Sequence, residues 1–192
     1  MEKILAGADE AGRGPLAGPV VTCIVVCKRG FLRKLKKLGI KDSKLLSPKK
    51  RLEILEKIKK LKGIEWKIAS VWPKTIDKIN ILQATFLGWQ RCFKKLKKKP
   101  DLIFVDGNLK IPKINVVQKP IVKGDQKNVL ISLASILAKI KRDKIMENLA
   151  KKYPEYKFEK HKGYPTKEHF KTLRKMGPCP IHRETFLRMD FL

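Results

Sequence analysis

The sequence predicts an α/β fold in which helices cover a single sheet. Strand-like runs of small and β-branched residues come first, and strand-like and helix-like segments alternate after them. The chain has 192 residues, of which 43% are hydrophobic, enough for one core and one domain. Its apolar stretches are about half as long as the roughly 20 residues of a membrane span, so we expect no transmembrane segment.

The first half of the chain is predicted to contain three strands and two helices. The strands are expected at Ile4–Asp9, Pro19–Lys28 and Ile64–Val71. Ser47 followed by Pro48 is typical of a helix start, and apolar residues spaced by three continue that helix until Gly63. Apolar residues spaced by three or four predict a longer helix over 76–98.

The second half continues the alternation. Leu102–Asp106 is a continuous apolar run closed by Gly107, which favours a strand buried on both faces. A weaker strand at 115–118 and a long apolar helix over 126–150 follow. Further helices are expected near 166–176 and 183–189.

The composition changes at about residue 150 and becomes polar and aromatic after Tyr153. We therefore expect a core over 1–150 and a C-terminal helical extension over 151–192. The extension is expected to complete a groove opposite the acidic residues of the core.

The charge is strongly positive. There are 46 Lys plus Arg against 18 Asp plus Glu, a formal charge of +28. Such a surplus destabilises a compact fold unless polyanions or counterions screen it, which favours a phosphate-bearing partner. The alternatives are a solvated basic surface and the lysine enrichment of heat-adapted proteins, although acids usually rise with lysines in the latter.

The cysteines indicate a reducing compartment. Cys23 and Cys27 fall in a predicted strand, and the four cysteines show no paired CxxC spacing. The apolar patch after Met1 is too short for a signal peptide. We expect reduced core cysteines in a cytoplasmic, monomeric protein.

Four carboxylates lie where α/β folds place function. Asp9 ends the first strand and Glu10 follows it, Asp106 ends the buried strand, and Asp125 precedes the long helix. Neighbouring strand residues face opposite sides of a sheet, so we expect Glu10 to have left the strand. Asp125 is expected to cap the long helix.

Gathered carboxylates repel one another and need a cation to compensate them. Hard oxygen ligands select Mg²⁺ or Mn²⁺, and two such ions can activate a water and stabilise the leaving oxygen of a phosphodiester. With a polyanionic partner, the pattern favours metal-assisted phosphodiester hydrolysis. The alternative is that Asp9 and Asp106 merely end strands and Asp125 merely caps a helix.

The run DEAGRGPLAGPV, residues 9–20, resembles the signature of the ribonuclease HII family. Further matches follow in order at Asp42-Ser43-Lys44, Val105-Asp106-Gly107, Lys123-Gly124-Asp125, Ala134–Lys139 with Arg142-Asp143, and Lys162–Thr166 with His169. The resemblance implies an RNase H-like fold and metal-dependent endonucleolytic cleavage of RNA in RNA/DNA hybrids. It also implies cleavage 5′ of single ribonucleotides in duplex DNA, leaving 3′-hydroxyl and 5′-phosphate ends.

The resemblance assigns roles to individual residues. It makes catalytic metal ligands of Asp9, Glu10, Asp106 and Asp125. The segment Gly12-Arg13-Gly14 is similar to the loop that senses the ribose 2′-hydroxyl, a group that only RNA offers. Tyr164 looks like the tyrosine that packs on the sugar 3′ of the ribonucleotide; taken alone, it would be a surface or minor core residue.

Other polar residues have open roles. Lys44 and Lys139 are either phosphate contacts or solvated charges. Asp143 would lie about 27 Å from Asp125 on one straight helix, so we expect it to be structural, beside Arg142. His169 lies in a matching segment, as a candidate substrate contact, and the three histidines lack zinc-site spacing.

Two other functions remain open from the sequence. One is a ribonuclease HIII-like enzyme acting on longer hybrids. Such an enzyme is expected to carry an extra N-terminal domain, whereas the catalytic strand of this sequence begins at about residue 4. The other is a basic nucleic-acid-binding protein without catalytic activity. Such a protein would bind duplex without cleaving it, and Asp125→Asn would not change its affinity.

Overall fold

The computed structural model describes residues 2–40 and 46–187. Its sheet contains five strands in the order β3-β2-β1-β4-β5. The strands are β1 (Ile4–Ala11), β2 (Val20–Lys28), β3 (Ile64–Val71), β4 (Leu102–Asp106) and β5 (Val117–Ile121). The first three pair antiparallel, whereas β4 and β5 run parallel to β1. This mixed sheet with helices on both faces confirms the predicted fold class.

Seven α-helices are found in the described ranges. They are α1 (Leu32–Lys36), α2 (Pro48–Lys59), α3 (Pro73–Lys94), α4 (Gly124–Lys127), α5 (Val129–Lys152), α6 (Phe158–His161) and α7 (Lys167–Met176). Ser47 caps α2 as expected, since its Oγ accepts from the Lys50 amide at 3.2 Å. Asn80, with φ 65°, interrupts α3. In this part of the chain, no helix combines the length and apolarity needed to cross a bilayer.

The core lies on both faces of the sheet. Cys23 and Val25 of β2 pack toward α5, whereas Ile24 and Val26 pack toward α3. This alternation buries β2 on both sides, and only its last residue, Lys28, is exposed. All four cysteines are free thiols and three of them are buried, in agreement with the expected reduced core.

The end of β1 differs from expectation. Glu10 was expected to leave the strand, but it pairs with Thr22 inside β1, which continues to Ala11. The parallel pairing with β4 stops earlier, at Ala8 and Val105. Asp9 and Glu10 therefore lie beyond the last residue of β1 that pairs with β4, and both interact with Asp106 without a turn between them.

The long helix is also different. A non-helical Asn128, with φ −131° and ψ 118°, separates α4 from α5. Its Oδ1 accepts from the amides of Leu130 and Ile131, at 2.9 and 3.4 Å. The expectation that Asp125 caps the long helix is therefore wrong, because Asn128 does so and Asp125 lies one turn earlier, on α4.

Two shorter boundaries are corrected as well. The fifth strand begins at Val117 rather than 115 and continues to Ile121. In place of the helix expected at 183–189, the structure has a single 3₁₀ turn at Glu184–Phe186; residues 188–189 lie outside the described part of the chain.

The chain after α5 packs on the end of that helix. Its apolar contacts centre on Met146, Tyr156 and Phe158. Beside them the ring nitrogens Nε2 of His169 and His182 lie 2.9 Å apart, in a hydrogen bond. Both rings are almost fully buried, and this burial lowers the pKa of each histidine to about 4.

The buried histidine pair predicts an acid-sensitive contribution to stability. Between about pH 6.5 and 4, these histidines bind protons in the unfolded chain but not in the folded protein. The free energy of unfolding therefore decreases as the pH falls through this range. The free energy of unfolding can be measured by urea titration at pH 7.5, 6 and 5. Its decrease from pH 7.5 to pH 5 should be about 1–2 kcal/mol smaller in His182→Asn than in the wild type. Identical pH slopes would contradict the prediction.

Candidate active site

Carboxylates meet where β1 and β4 end at one edge of the sheet. Asp9 and Asp106 are the next residues after the last β1–β4 pair, Ala8 with Val105. Asp9 is 4% exposed. Its pKa is raised well above the usual range by burial first, and then by repulsion from Glu10 and Asp106.

Glu10 shares this environment. Its side chain is 11% exposed, and burial raises its pKa to about 7. The Arg13 guanidinium, 3.6 Å from Glu10 Oε1, opposes the shift, whereas Asp106 adds to it. The structure therefore brings three of the four predicted acids into electrostatic contact.

Three different elements hold Asp9. The Glu10 amide donates to Asp9 Oδ1 at 2.6 Å, and the Ser135 side chain of α5 hydrogen-bonds the carboxylate and lowers its pKa. The indole N–H of Trp89, on α3, donates to the Asp9 carbonyl at 3.1 Å. Helices on both faces of the sheet thus hold Asp9, one through its carboxylate and the other through its backbone carbonyl.

Asp106 and Asp125 are joined through one glycine. The Gly124 amide donates to Asp106 Oδ1 at 2.7 Å. A Cβ at position 124 would lie 2.5 Å from Ile131 Cδ1 and 3.2 Å from Asp106 Oδ1, so a larger residue here would require the Ile131 side chain to move. Asp125 follows directly; it is buried, and its carbonyl accepts from the Ser132 hydroxyl. The four predicted acids, hereafter the acid cluster, therefore lie on elements that meet at one edge.

The chemistry of the acid cluster fits a hard divalent cation. Glu10 Oε2 is buried and makes no hydrogen bond within residues 2–40 and 46–187. Over the same residues, no three acidic, histidine or cysteine side chains converge tightly enough to form a finished metal cage. Oxygen ligands suit Mg²⁺ or Mn²⁺, and such an ion would offset the repulsion between the carboxylates.

Beside the acids lies a tight turn, Gly12–Gly14, hereafter the glycine turn. Gly12 has φ 94°, and a Cβ there would lie 2.0 Å from Arg142 Nε. Glycine is therefore required at this position. By contrast, a Cβ on Gly14 would meet nothing within 4 Å, so this side of the turn is open to a ligand.

Two buried arginines hold the loop that contains the glycine turn. Arg142 donates to the carbonyls of Ala17 and Pro19, each at 3.1 Å. Arg183 donates from Nη2 to Gly12 O at 2.6 Å and from Nη1 to Arg13 O at 2.8 Å. Sequence reasoning assigned no functional role to Arg183, since an arginine in a polar segment gives no sign of burial.

Tyr164 faces the glycine turn across a cleft of about 250 Å³. The cleft is lined by Glu10, Ala11, Gly12, Arg13, Gly14, Ser135, Lys139 and Tyr164. Tyr164 is 40% exposed, and its ring lies 5.7 Å from the Arg142 guanidinium. The Gly163 carbonyl accepts from the Leu16 amide at 2.8 Å, which ties the tyrosine segment to the loop.

The remaining candidates take different positions. Lys139 lines the cleft but donates to Asp143 Oδ1 at 2.7 Å. Asp143 is also 3.6 Å from Arg51, so its ion-pair partners are Lys139 and Arg51. His169 is fully buried and bonds the Tyr164 carbonyl at 2.9 Å, away from any ligand surface. Lys44 lies outside the described residues.

Three residues of the site carry little sequence signal. Ser135 lies inside a matched motif, but a serine in an apolar helix gives no hint that it bonds Asp9. Trp89 falls on the apolar stripe of α3, where its indole N–H has to find an acceptor. Arg183 has no signal beyond its place in the polar C-terminal segment.

A mixed sheet with helices on both faces and carboxylates at adjoining strand ends defines the RNase H-like class of nucleases. The ribonuclease HII family model matches residues 6–192. The chain is 50% identical to ribonuclease HII of Caldicellulosiruptor bescii, over 97% of this chain and 87% of the relative. It is 48% identical to the enzyme of Clostridioides difficile, over 96% and 70% respectively.

Solved structures agree. The ribonuclease H2 of Pyrococcus horikoshii OT3 superposes with a TM-score of 0.79 at 30% identity, covering 95% of this chain and 93% of that one. The RNase H3 of Aquifex aeolicus, at 20% identity and a TM-score of 0.70, covers 97% and 73% and shows the fold alone.

The chain belongs to the ribonuclease HII family. Members are type 2 ribonucleases H, endoribonucleases that act on the RNA of RNA/DNA hybrids, so the family resemblance of the sequence is confirmed.

Repulsion within the acid cluster predicts a stabilising mutation. A raised carboxyl pKa means that ionisation opposes folding, so the cost is present at pH 8 and falls as the pH is lowered. Asp9→Asn should therefore raise Tm in EDTA at pH 8 by about 2–4 °C, roughly 1 kcal/mol. Glu159→Gln, at an exposed acid of α6, should leave Tm nearly unchanged. A lowered Tm in Asp9→Asn would contradict the account.

Proposed function

We propose that the protein hydrolyses phosphodiester bonds 5′ of ribonucleotides, both in RNA/DNA hybrids and at single ribonucleotides in duplex DNA. The products carry 3′-hydroxyl and 5′-phosphate ends. One observation supports this most: buried, mutually repelling acids adjoin a cleft that also contains the glycine turn and Tyr164. Acids that suit bond cleavage and groups that suit a ribose therefore lie side by side.

Asp9, Glu10, Asp106 and Asp125 are proposed to hold two Mg²⁺ or Mn²⁺ ions. Such a pair, when bound, activates a water and stabilises the leaving oxygen. The orphaned Glu10 Oε2 and the raised carboxyl pKa values support cation binding at this point. A related structure of RNase HIII carries Mn²⁺.

The protein's own groups prepare this site. Ser135 and the Glu10 amide fix the orientation of Asp9, and the Gly124 amide fixes one oxygen of Asp106. Burial of Asp9 and Asp125 excludes water from these two acids, which strengthens their attraction for a cation. Arg13 neutralises part of the charge of Glu10 from the cleft side.

The glycine turn and Tyr164 are proposed to recognise the ribose. A 2′-hydroxyl both donates and accepts, and it distinguishes RNA from DNA at one nucleotide. The open side of Gly14 lets backbone groups approach the sugar. The half-exposed ring of Tyr164 offers a flat apolar surface for the next sugar, where a deoxyribose packs better than a hydroxylated one.

The basic surface is proposed to bind the backbone of the duplex without reading its sequence. The excess of 28 positive charges supplies the attraction, and Lys139 and Lys44 are proposed phosphate contacts. The segment over 151–192, which carries Tyr164, completes the groove. We also propose that the protein acts as a monomer in the cytoplasm, in the replication and repair of DNA.

Metal-dependent cleavage provides the first test. With Mg²⁺ or Mn²⁺ the wild type should cut both a duplex holding one ribonucleotide and a continuous hybrid, and EDTA should abolish both reactions. Asp125→Asn should lower kcat roughly 100-fold or more on both substrates. Asp143→Asn, an acid paired with Lys139 and Arg51, should remain within a few-fold of the wild type.

These outcomes separate the proposal from its rivals. Cleavage of hybrids alone would favour the ribonuclease HIII-like reading. Binding of duplex without cleavage, indifferent to Asp125→Asn, would favour a non-catalytic protein.

Tyr164 provides the second test. Tyr164→Ala removes the surface on which the 3′ sugar packs, so it should reduce kcat/KM about tenfold more on the single-ribonucleotide duplex than on the hybrid, where several registers are available. Tyr164→Phe keeps the ring and should behave like the wild type. Equal losses on the two substrates in gel-based kinetics would refute the recognition role.

A further inference from the structure

Arg183 makes an unusual set of contacts for a buried cation. Its side chain is fully buried, and its guanidinium donates to three carbonyls of one loop. The acceptors are Gly12 at 2.6 Å, Arg13 at 2.8 Å and Gly18 at 3.1 Å. Two of the three lie in the glycine turn, so a single rigid fork sets the orientation of two consecutive peptide groups.

The charge of Arg183 is compensated weakly. Burial and repulsion from Arg142 lower its pKa to about 9, which still leaves it charged at neutral pH. Asp77, the acid that attracts it, is bonded to the amides of Glu184 and Thr185 at 3.2 and 3.1 Å. Burying a cation against carbonyl dipoles is costly, and a neutral side chain would anchor a loop at lower cost.

The geometry of the peptide bond explains what the fork achieves. In a planar trans peptide, the carbonyl of one residue and the amide of the next point in opposite directions. Because the carbonyls of Gly12 and Arg13 point at the buried guanidinium, the amides of Arg13 and Gly14 point away from it. The glycine turn lines the cleft, whereas the buried Arg183 does not.

Those two amides are available to a ligand. Within residues 2–40 and 46–187, neither the Arg13 nor the Gly14 amide has a hydrogen-bond acceptor. Arg13 is half exposed, and the space beside Gly14 is empty. Two donors held in a fixed direction at the edge of a cleft suit a hydroxyl oxygen.

We propose that Arg183 is a positioning residue for ribose recognition: it fixes the Gly12 and Arg13 carbonyls and so directs the Arg13 and Gly14 amides at the 2′-hydroxyl. This rests on the proposed function, since it assigns the geometry of the same cleft. Arg183 acts through the glycine turn and touches neither the substrate nor the acid cluster. Its loss therefore reduces selectivity for ribonucleotides rather than the ability to break the bond.

The experiment compares the binding of two duplexes that differ by one hydroxyl. Kd is measured by fluorescence anisotropy in EDTA for a duplex with one ribonucleotide and for the all-deoxy duplex, using wild type, Arg183→Lys and Arg183→Gln. The ratio of the two Kd values cancels any loss of folded protein. We expect the ratio to fall about tenfold in both variants, because lysine keeps the charge but lacks the fork.

Thr185→Val is the matched control. It removes a 2.6 Å hydrogen bond to Asp77 from the same segment and leaves the donors of Arg183 in place, so the ratio should equal that of the wild type. The kinetics add a second readout: on the single-ribonucleotide duplex, KM should rise more than kcat falls in Arg183→Lys.

Each outcome decides the question. A wild-type ratio retained by either folded Arg183 variant would overturn the proposal, as would a chain that folds with neither lysine nor glutamine, since the role would then be structural. A wild type without any selectivity would instead contradict the proposed function.

Discussion

Mutual repulsion among buried carboxylates is the constraint on which the site depends. Asp9, Glu10 and Asp106 lie at one edge of the sheet because β1 continues beyond the last residue that pairs with β4. Burial raises the pKa of both Asp9 and Glu10. Backbone amides, Ser135 and Arg13 offset part of this cost. A divalent cation would relieve the repulsion that remains. The same repulsion therefore both destabilises the fold at this site and favours the binding of a cation there.

The proposed recognition of the ribose depends on a second feature, a pair of buried arginine side chains. Two fully buried arginines hold the loop over 12–19 through its carbonyls. The glycine at position 12 is needed because Arg142 occupies the space of its Cβ, and Tyr164 stands over the same guanidinium. In the proposed function, recognition of the ribose therefore depends on buried residues, whereas the surface lysines supply only attraction to the phosphate backbone of the duplex.

Much of this could be predicted from the sequence. Apolar spacing located the strands and most helices, and the position of Asp9, Asp106 and Asp125 at element ends identified the acid cluster. The errors have physical causes: Glu10 stays in its strand because β2 continues to pair where β4 has ended, and Asn128 caps α5 because a second short helix precedes it. Arg183 could not be predicted, since its burial depends on a contact across 171 residues.

The proton balance of metal binding tests the central claim most directly. If a cation relieves the repulsion, Mg²⁺ binding displaces the proton that Glu10, whose pKa is raised to about 7, retains near neutral pH. Calorimetric titrations in buffers of different ionisation enthalpy should then show release of about one proton per chain at pH 6.5, a release that declines toward pH 9 and is reduced in Glu10→Gln. Binding without proton release, or with a release unchanged in Glu10→Gln, would contradict the account.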